Sequence, residues 1–150
     1  MRRSPMPSQT VPVRRSQRTQ GKHARRKDTG PSRKVRALVM ERDNYRCVSC
    51  GAVVGVALTW WSLQHRKARG QGGDNSPQNL IVLCGSATSP GCHRRAEDRD
   101  RESNACGYWL QSWEDPALVP VMLVSEQGSG ISAWLTEDGG YSFEPPAGAA

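Results

Sequence analysis

Between Cys47 and His93 the chain carries residues for two kinds of chemistry. Cys47 and Cys50 form a Cys-x-x-Cys knuckle, and Cys84 and Cys92 follow, eight residues apart. Together these thiolates make a closed tetrahedral ligand set for a structural zinc ion, with no open position for water. The second pair is wider than an ordinary knuckle, so residues 85–91 must bulge out between its ligands. Cys106, the fifth cysteine, reads as a small helix-end residue. An odd count fits reduced, metal-bound thiolates in a cytoplasmic setting better than a secreted disulfide framework.

The second chemistry lies between the cysteines. A neutral imidazole takes a proton from water near pH 7. In phosphodiester hydrolysis that water attacks phosphorus in line, and a nearby hard cation stabilises the leaving oxygen. His65, just before a basic glycine-rich loop, is placed to act as the base, and His93, next to a zinc ligand, is placed to hold a catalytic divalent metal. Asn79 is expected to position the base, either by an amide hydrogen bond to it or by holding the loop that carries it. Arg66, Lys67 and Arg69 beside His65, and Arg94 beside His93, are candidate contacts to phosphates.

Charge and composition agree with a polyanion partner. The net charge of +7 is concentrated at one end: residues 1–36 hold 12 Lys and Arg against the single acid Asp28, and the rest of the chain is net acidic. Such a basic segment binds nucleic acid through counterion release, without sequence preference. With only 36% hydrophobic and 6% aromatic residues, a chain of 150 buries a small core, which suits a metal staple. Its apolar runs are too short for a transmembrane helix.

These residues need elements to hold them. Residues 1–30, rich in Arg, Ser, Gln, Pro and Thr, read as a disordered basic tail. Ser32 predicts the N-cap of a helix whose apolar stripe is Val35, Leu38 and Val39, ending at Arg42–Tyr45. A strand is expected from Ala57 to His65, with Trp60 or Trp61 in the core, and a second extended segment or short helix from Asn79 to Leu83. Ser89-Pro90 predicts the start of a helix over about Cys92–Asn104, terminated by Gly107 and carrying the pairs Arg94–Asp98 and Glu97–Arg101. Strand-like runs follow at Tyr108–Leu110, Val119–Val124 and Ile131–Leu135, the last joined through Asp138-Gly139-Gly140 to Tyr141–Phe143 as a terminal hairpin.

The phrases Arg42-Asp-Asn-Tyr-Arg-Cys47, Gln64-His65-Arg66, Gly72-Gly73, Asn79-Leu-Ile-Val-Leu-Cys84 and Gly91-Cys92-His93 together resemble the HNH endonuclease family. The resemblance is to its cysteine-bearing bacteriophage branch, notably phages of actinobacteria, and covers about residues 35–95. It implies an α+β fold with a small ββα-metal core over residues 31–106, a structural Zn²⁺, and a β-rich C-terminal extension over 107–150. It further implies that His65 is the general base, Asn79 the middle Asn of the family name, and His93 a ligand of the catalytic metal. The residue before the base is usually Asp or His and also binds that metal; here it is Gln64. An amide oxygen holds Mg²⁺ or Mn²⁺ more weakly than a carboxylate does, and an imidazole-rich site also accepts Ni²⁺. Adjacent strand residues point to opposite faces, so Gln64 and His65 share a site only where the strand ends. The activity implied is metal-dependent cleavage of double-stranded DNA in the host cytoplasm, with the last helix in or near the minor groove, alongside phage terminase in genome packaging. The alternative is a non-catalytic zinc-stapled module that binds DNA or terminase, with Gln64 as its best evidence.

Overall fold

The computed structural model describes residues 29–55, 60–124 and 130–149. Most of the expected basic tail and the start of the first expected strand lie outside the described residues. The described chain is a mixed helix and sheet protein with three helices and two small antiparallel sheets.

Helix α1 spans Arg33–Arg42, and Ser32 caps it by accepting a hydrogen bond from the Val35 backbone N–H. Of the expected stripe, Val39 is buried and Val35 packs against the core; Met40 joins them there. Strand β1, Trp61–His65, pairs antiparallel with β2, Leu80–Cys84, placing His65 opposite Leu80 and Trp61 opposite Cys84. Trp61 packs against the core, whereas Trp60 lies outside the strand and is 76% exposed. Strand β2 starts one residue later than expected. Its run Leu80–Leu83 is fully buried because it is covered on both faces, by α1 and by helix α2, Cys92–Glu97.

The long helix expected over residues 92–104 is two short ones. Helix α2 begins at an N-cap of Gly91 rather than Ser89, whose side chain bonds Ser86 within the loop. It ends after Glu97, where Arg99 takes a positive φ of 56° and stacks its guanidinium on Trp109. Asp100 then caps α3, Arg101–Ala105, by accepting from the Ser103 N–H at 2.6 Å. The break preserves the Arg94–Asp98 pair but replaces the expected Glu97–Arg101 pair with Arg95–Glu102. Gly107 follows at φ +68° and ends α3 as expected; a Cβ there would meet the Pro120 carbonyl. Tyr108–Leu110 is not a strand: the Leu110 N–H turns back to the Arg66 carbonyl. Strands β3 (Val121–Val124), β4 (Gly130–Leu135) and β5 (Tyr141–Ser142) form the second sheet, with the hairpin between β4 and β5 closed at Asp138–Gly140.

Two buried polar hubs tie these parts together. Asp43 accepts from Arg42, the Val82 N–H and the Tyr141 hydroxyl, joining α1, β2 and β5, while Arg42 also donates to the Pro77 and Leu80 carbonyls. The second hub corrects the reading of Arg66 as a phosphate contact. Its side chain is completely buried, and its guanidinium donates to the carbonyls of Gly107, Gln78, Pro116, Val119 and Pro120. No N–H is left for DNA, since a guanidinium has five. Burial, reinforced by the nearby Arg42 charge and only partly opposed by the Glu114 carboxylate, lowers its pKa to about 9.

Arg66→Met keeps much of the stem volume but strips those carbonyls of their donors. It is expected to cost at least about 3 kcal/mol, read as a fall in the urea unfolding midpoint. Lys67→Met, which loses one half-buried bond to the Glu114 carbonyl, should cost less than about 1 kcal/mol.

Candidate metal centre and active-site cleft

The four cysteines come together from three places in the chain. Cys47 and Cys50 lie in the turn after α1, Cys84 ends β2, and Cys92 opens α2; their sulfurs all lie within 4.8 Å of one another. The wide second pair closes because Gly85 and Gly91 touch. A Cβ on Gly91 would stand 2.5 Å from the Cys84 carbonyl oxygen and 2.7 Å from the Gly85 Cα, so only glycine lets the bulged loop return. The set fits a tetrahedral ion such as zinc, whose sulfur ligands lie about 2.3 Å from the metal. The protons are already unevenly shared. Cys92 is lowered to about 4, chiefly by hydrogen bonding from Cys47 and helped by Arg95, while Cys47 is pushed up by that bond and by burial. Cys106 stands apart as the C-cap of α3.

A cleft of about 1140 Å³ opens beside this cluster. His65 and His93 both line it, with Trp61 and Leu63 of β1, Arg36 of α1, Arg69 and Glu97. His65 is the last residue of β1, and it and Gln64 both line a smaller adjoining cleft together with Glu97 and Arg69. Gln64 is 1% exposed; its amide nitrogen donates to the His65 carbonyl and its Oε1 has no partner among the described residues. His93 Nδ1 is likewise buried without a partner, and the third such atom, Gln71 Oε1, lines neither cleft. Burial holds the His93 imidazole below its ordinary pKa and His65 adds to that, while the Glu97 carboxylate and the Ser86 backbone oppose it. A neutral imidazole is the form that ligates a metal.

Of the two roles open to Asn79, the structure assigns the loop. Asn79 is fully buried; its Oδ1 accepts from the Lys67 N–H at 2.7 Å, and its Nδ2 donates to the Lys67 and Asp74 carbonyls. The loop approaches so closely that a Cβ on Gly73 would collide with the Lys67 carbonyl. The partner of His65 is Asn75 instead, with Oδ1 at 2.9 Å from Nε2. Among the expected phosphate contacts, Arg69 is exposed on the cleft, Lys67 is tied to Glu114, and Arg94 is exposed but paired with Asp98 and the Ala87 carbonyl.

Two residues of the cleft escaped the sequence reading. Glu97 stands four residues after His93, a spacing that puts both on one helical face and could have been noticed. Arg36 faces the cleft from the exposed side of α1, and nothing in its local pattern marks it. No family model, curated protein or solved structure matches the chain. Among the described residues no helix is long and apolar enough to cross a membrane.

Purified protein is expected to hold one equivalent of zinc by elemental analysis. Cys84→Ser should lose the metal and unfold at lower urea, since structural zinc sites supply on the order of 10 kcal/mol of folding free energy. Cys106→Ser should keep the full equivalent. Because Cys47 and Cys84 hold their protons strongly, zinc uptake should release protons and its affinity should fall as the pH is lowered.

Proposed function

We propose that this chain is a metal-dependent HNH-type endonuclease that hydrolyses phosphodiester bonds of double-stranded DNA. The observation that carries the reading is the pair of orphaned atoms. Gln64 Oε1 and His93 Nδ1 are buried polar atoms without hydrogen-bond partners among the described residues; Gln64 lines the smaller cleft and His93 the larger, and His65 and Glu97 line both. Such atoms are costly unless a ligand satisfies them. An amide oxygen, an imidazole and a carboxylate form a donor set suited to Mg²⁺, Mn²⁺ or Ni²⁺. Glu97 supplies the negative charge that Gln64 lacks, which weakens the case for a site that has lost its metal.

His65 is the general base, taking a proton from the attacking water. Gln64, His93 and Glu97 would hold the divalent cation, which when bound neutralises charge on the phosphate and leaving oxygen. Arg69 and Arg36 draw the DNA backbone to the cleft, and the basic residues near the N-terminus add salt-sensitive affinity. The ββα order of β1, β2 and α2, stapled by zinc through Cys92, supports the same family reading. Work alongside phage terminase in the host cytoplasm rests on the sequence resemblance.

Plasmid nicking with Mg²⁺, Mn²⁺ or Ni²⁺ tests the reading. His65→Ala should lower the cutting rate at least about 100-fold while DNA affinity stays within about twofold. Glu97→Gln should weaken Mn²⁺ binding measured by calorimetry. Arg36→Ala and Arg69→Ala should each weaken DNA binding and reduce its salt slope by about 0.9. Binding without cutting under every metal would instead establish the non-catalytic zinc module.

A further inference from the structure

The middle Asn of the motif does not touch the histidine, so another group must orient it. His65 is half-exposed at a strand end, where the ring would otherwise be free to rotate and to exchange its proton between nitrogens. The hydrogen bonds around Asn75 settle both. Asn75 Nδ2 donates to the Thr29 carbonyl at 3.0 Å, which commits the other amide atom, Oδ1, to face His65 Nε2 at 2.9 Å. Oδ1 only accepts, so Nε2 must carry a proton, and in the neutral ring Nδ1 then carries the lone pair. Thr29 is itself held, its hydroxyl accepting from Arg69 at 2.9 Å. The backbone next to Asn75 is anchored from below, with Asn79 Nδ2 on the Asp74 carbonyl at 2.9 Å.

We propose that Asn75 is the positioning residue of His65, fixing it as the Nε2–H tautomer and leaving Nδ1 as the atom that accepts a proton. The relay runs Arg69, Thr29, Asn75, His65, and Asn79 acts one step removed, by holding the loop from which Asn75 projects. The part of this that concerns catalysis rests on the nuclease reading; the tautomer does not. A base oriented through its second nitrogen is a recurring solution, because the partner of one ring nitrogen determines what the other can do. Asn75 touches neither the metal donor set nor the reacting phosphate in this assignment, and acts only through the ring.

Long-range ¹H–¹⁵N spectra of the full chain with labelled histidine read the tautomer directly. Only three histidines are present, so His65→Gln assigns the signal. The wild type is expected to show His65 as Nε2–H. Asn75→Ala should give a mixture of tautomers and cut DNA roughly 10- to 100-fold more slowly, within the contribution of a general base, with DNA affinity and zinc content unchanged. Asn75→Asp, which retains an acceptor oxygen, should restore the single tautomer and most of the rate. A His65 found as Nδ1–H, or a ring unaffected by Asn75→Ala, would overturn the assignment. A wild-type protein that shows the Nε2–H ring yet cuts no DNA would sink the nuclease reading and leave the role of Asn75 intact.

Discussion

A buried guanidinium one residue beyond the proposed base organises this protein. Among the described residues Arg66 forms no ion pair with a carboxylate, and taking such a charge out of water is costly. The chain meets that cost with backbone carbonyls, all aimed inward from the loop before β2 and from the segments around Gly107 and Pro116–Pro120. Those segments are irregular, and their carbonyls would otherwise lack partners of their own. Each side therefore solves the other's problem, and β1 is pinned where it ends. His65 inherits a fixed position because its neighbour cannot move.

The loop after β1 is gripped a second time by Asn79, which bonds both faces of Lys67 and the Asp74 carbonyl. Arg66 and Asn79 act at adjacent residues from opposite directions. Between them the glycine-rich stretch closes so tightly that Gly73 admits no side chain. A basic, glycine-rich loop is often a mobile one. Here its two ends are held by buried side chains, and of its cations Arg66 is buried, Lys67 is half-buried and tethered, and Arg69 is exposed.

Helix α2 is short, but it joins the two chemistries. Cys92 faces the sulfur cluster, while His93 and Glu97 face the cleft. A six-residue helix has little stability of its own. Its position depends on Cys92 and Ala96 in the core and on the glycine contact at its start. A metal on the cysteines would thus set the place of His93 one residue away. Folding and the geometry of the cleft are coupled through a single peptide unit.

Local pattern was sufficient for much of this. The cysteine cluster follows from the spacing of Cys47, Cys50, Cys84 and Cys92, because thiolates so arranged have few other uses. The cap at Ser32, the β4–β5 turn and the end of α3 at Gly107 follow from backbone preferences that neighbours decide alone. What the sequence could not decide depended on long-range partners. Arg66 and Arg69 look alike in the chain, yet one is core and the other surface, since only the folded 107–120 segment supplies carbonyls to the first. The helix stops after Glu97, and the left-handed Arg99 that follows stacks on Trp109, a partner ten residues further along the chain. The sequence pointed to Asn79 as the residue that positions His65, and the path of the loop instead brings Asn75 to the ring while Asn79 holds Lys67. Residue type and spacing determined which chemistry is available; tertiary structure decided which copy of each residue type performs it, because hydrogen-bond partners and burial are properties of position in space.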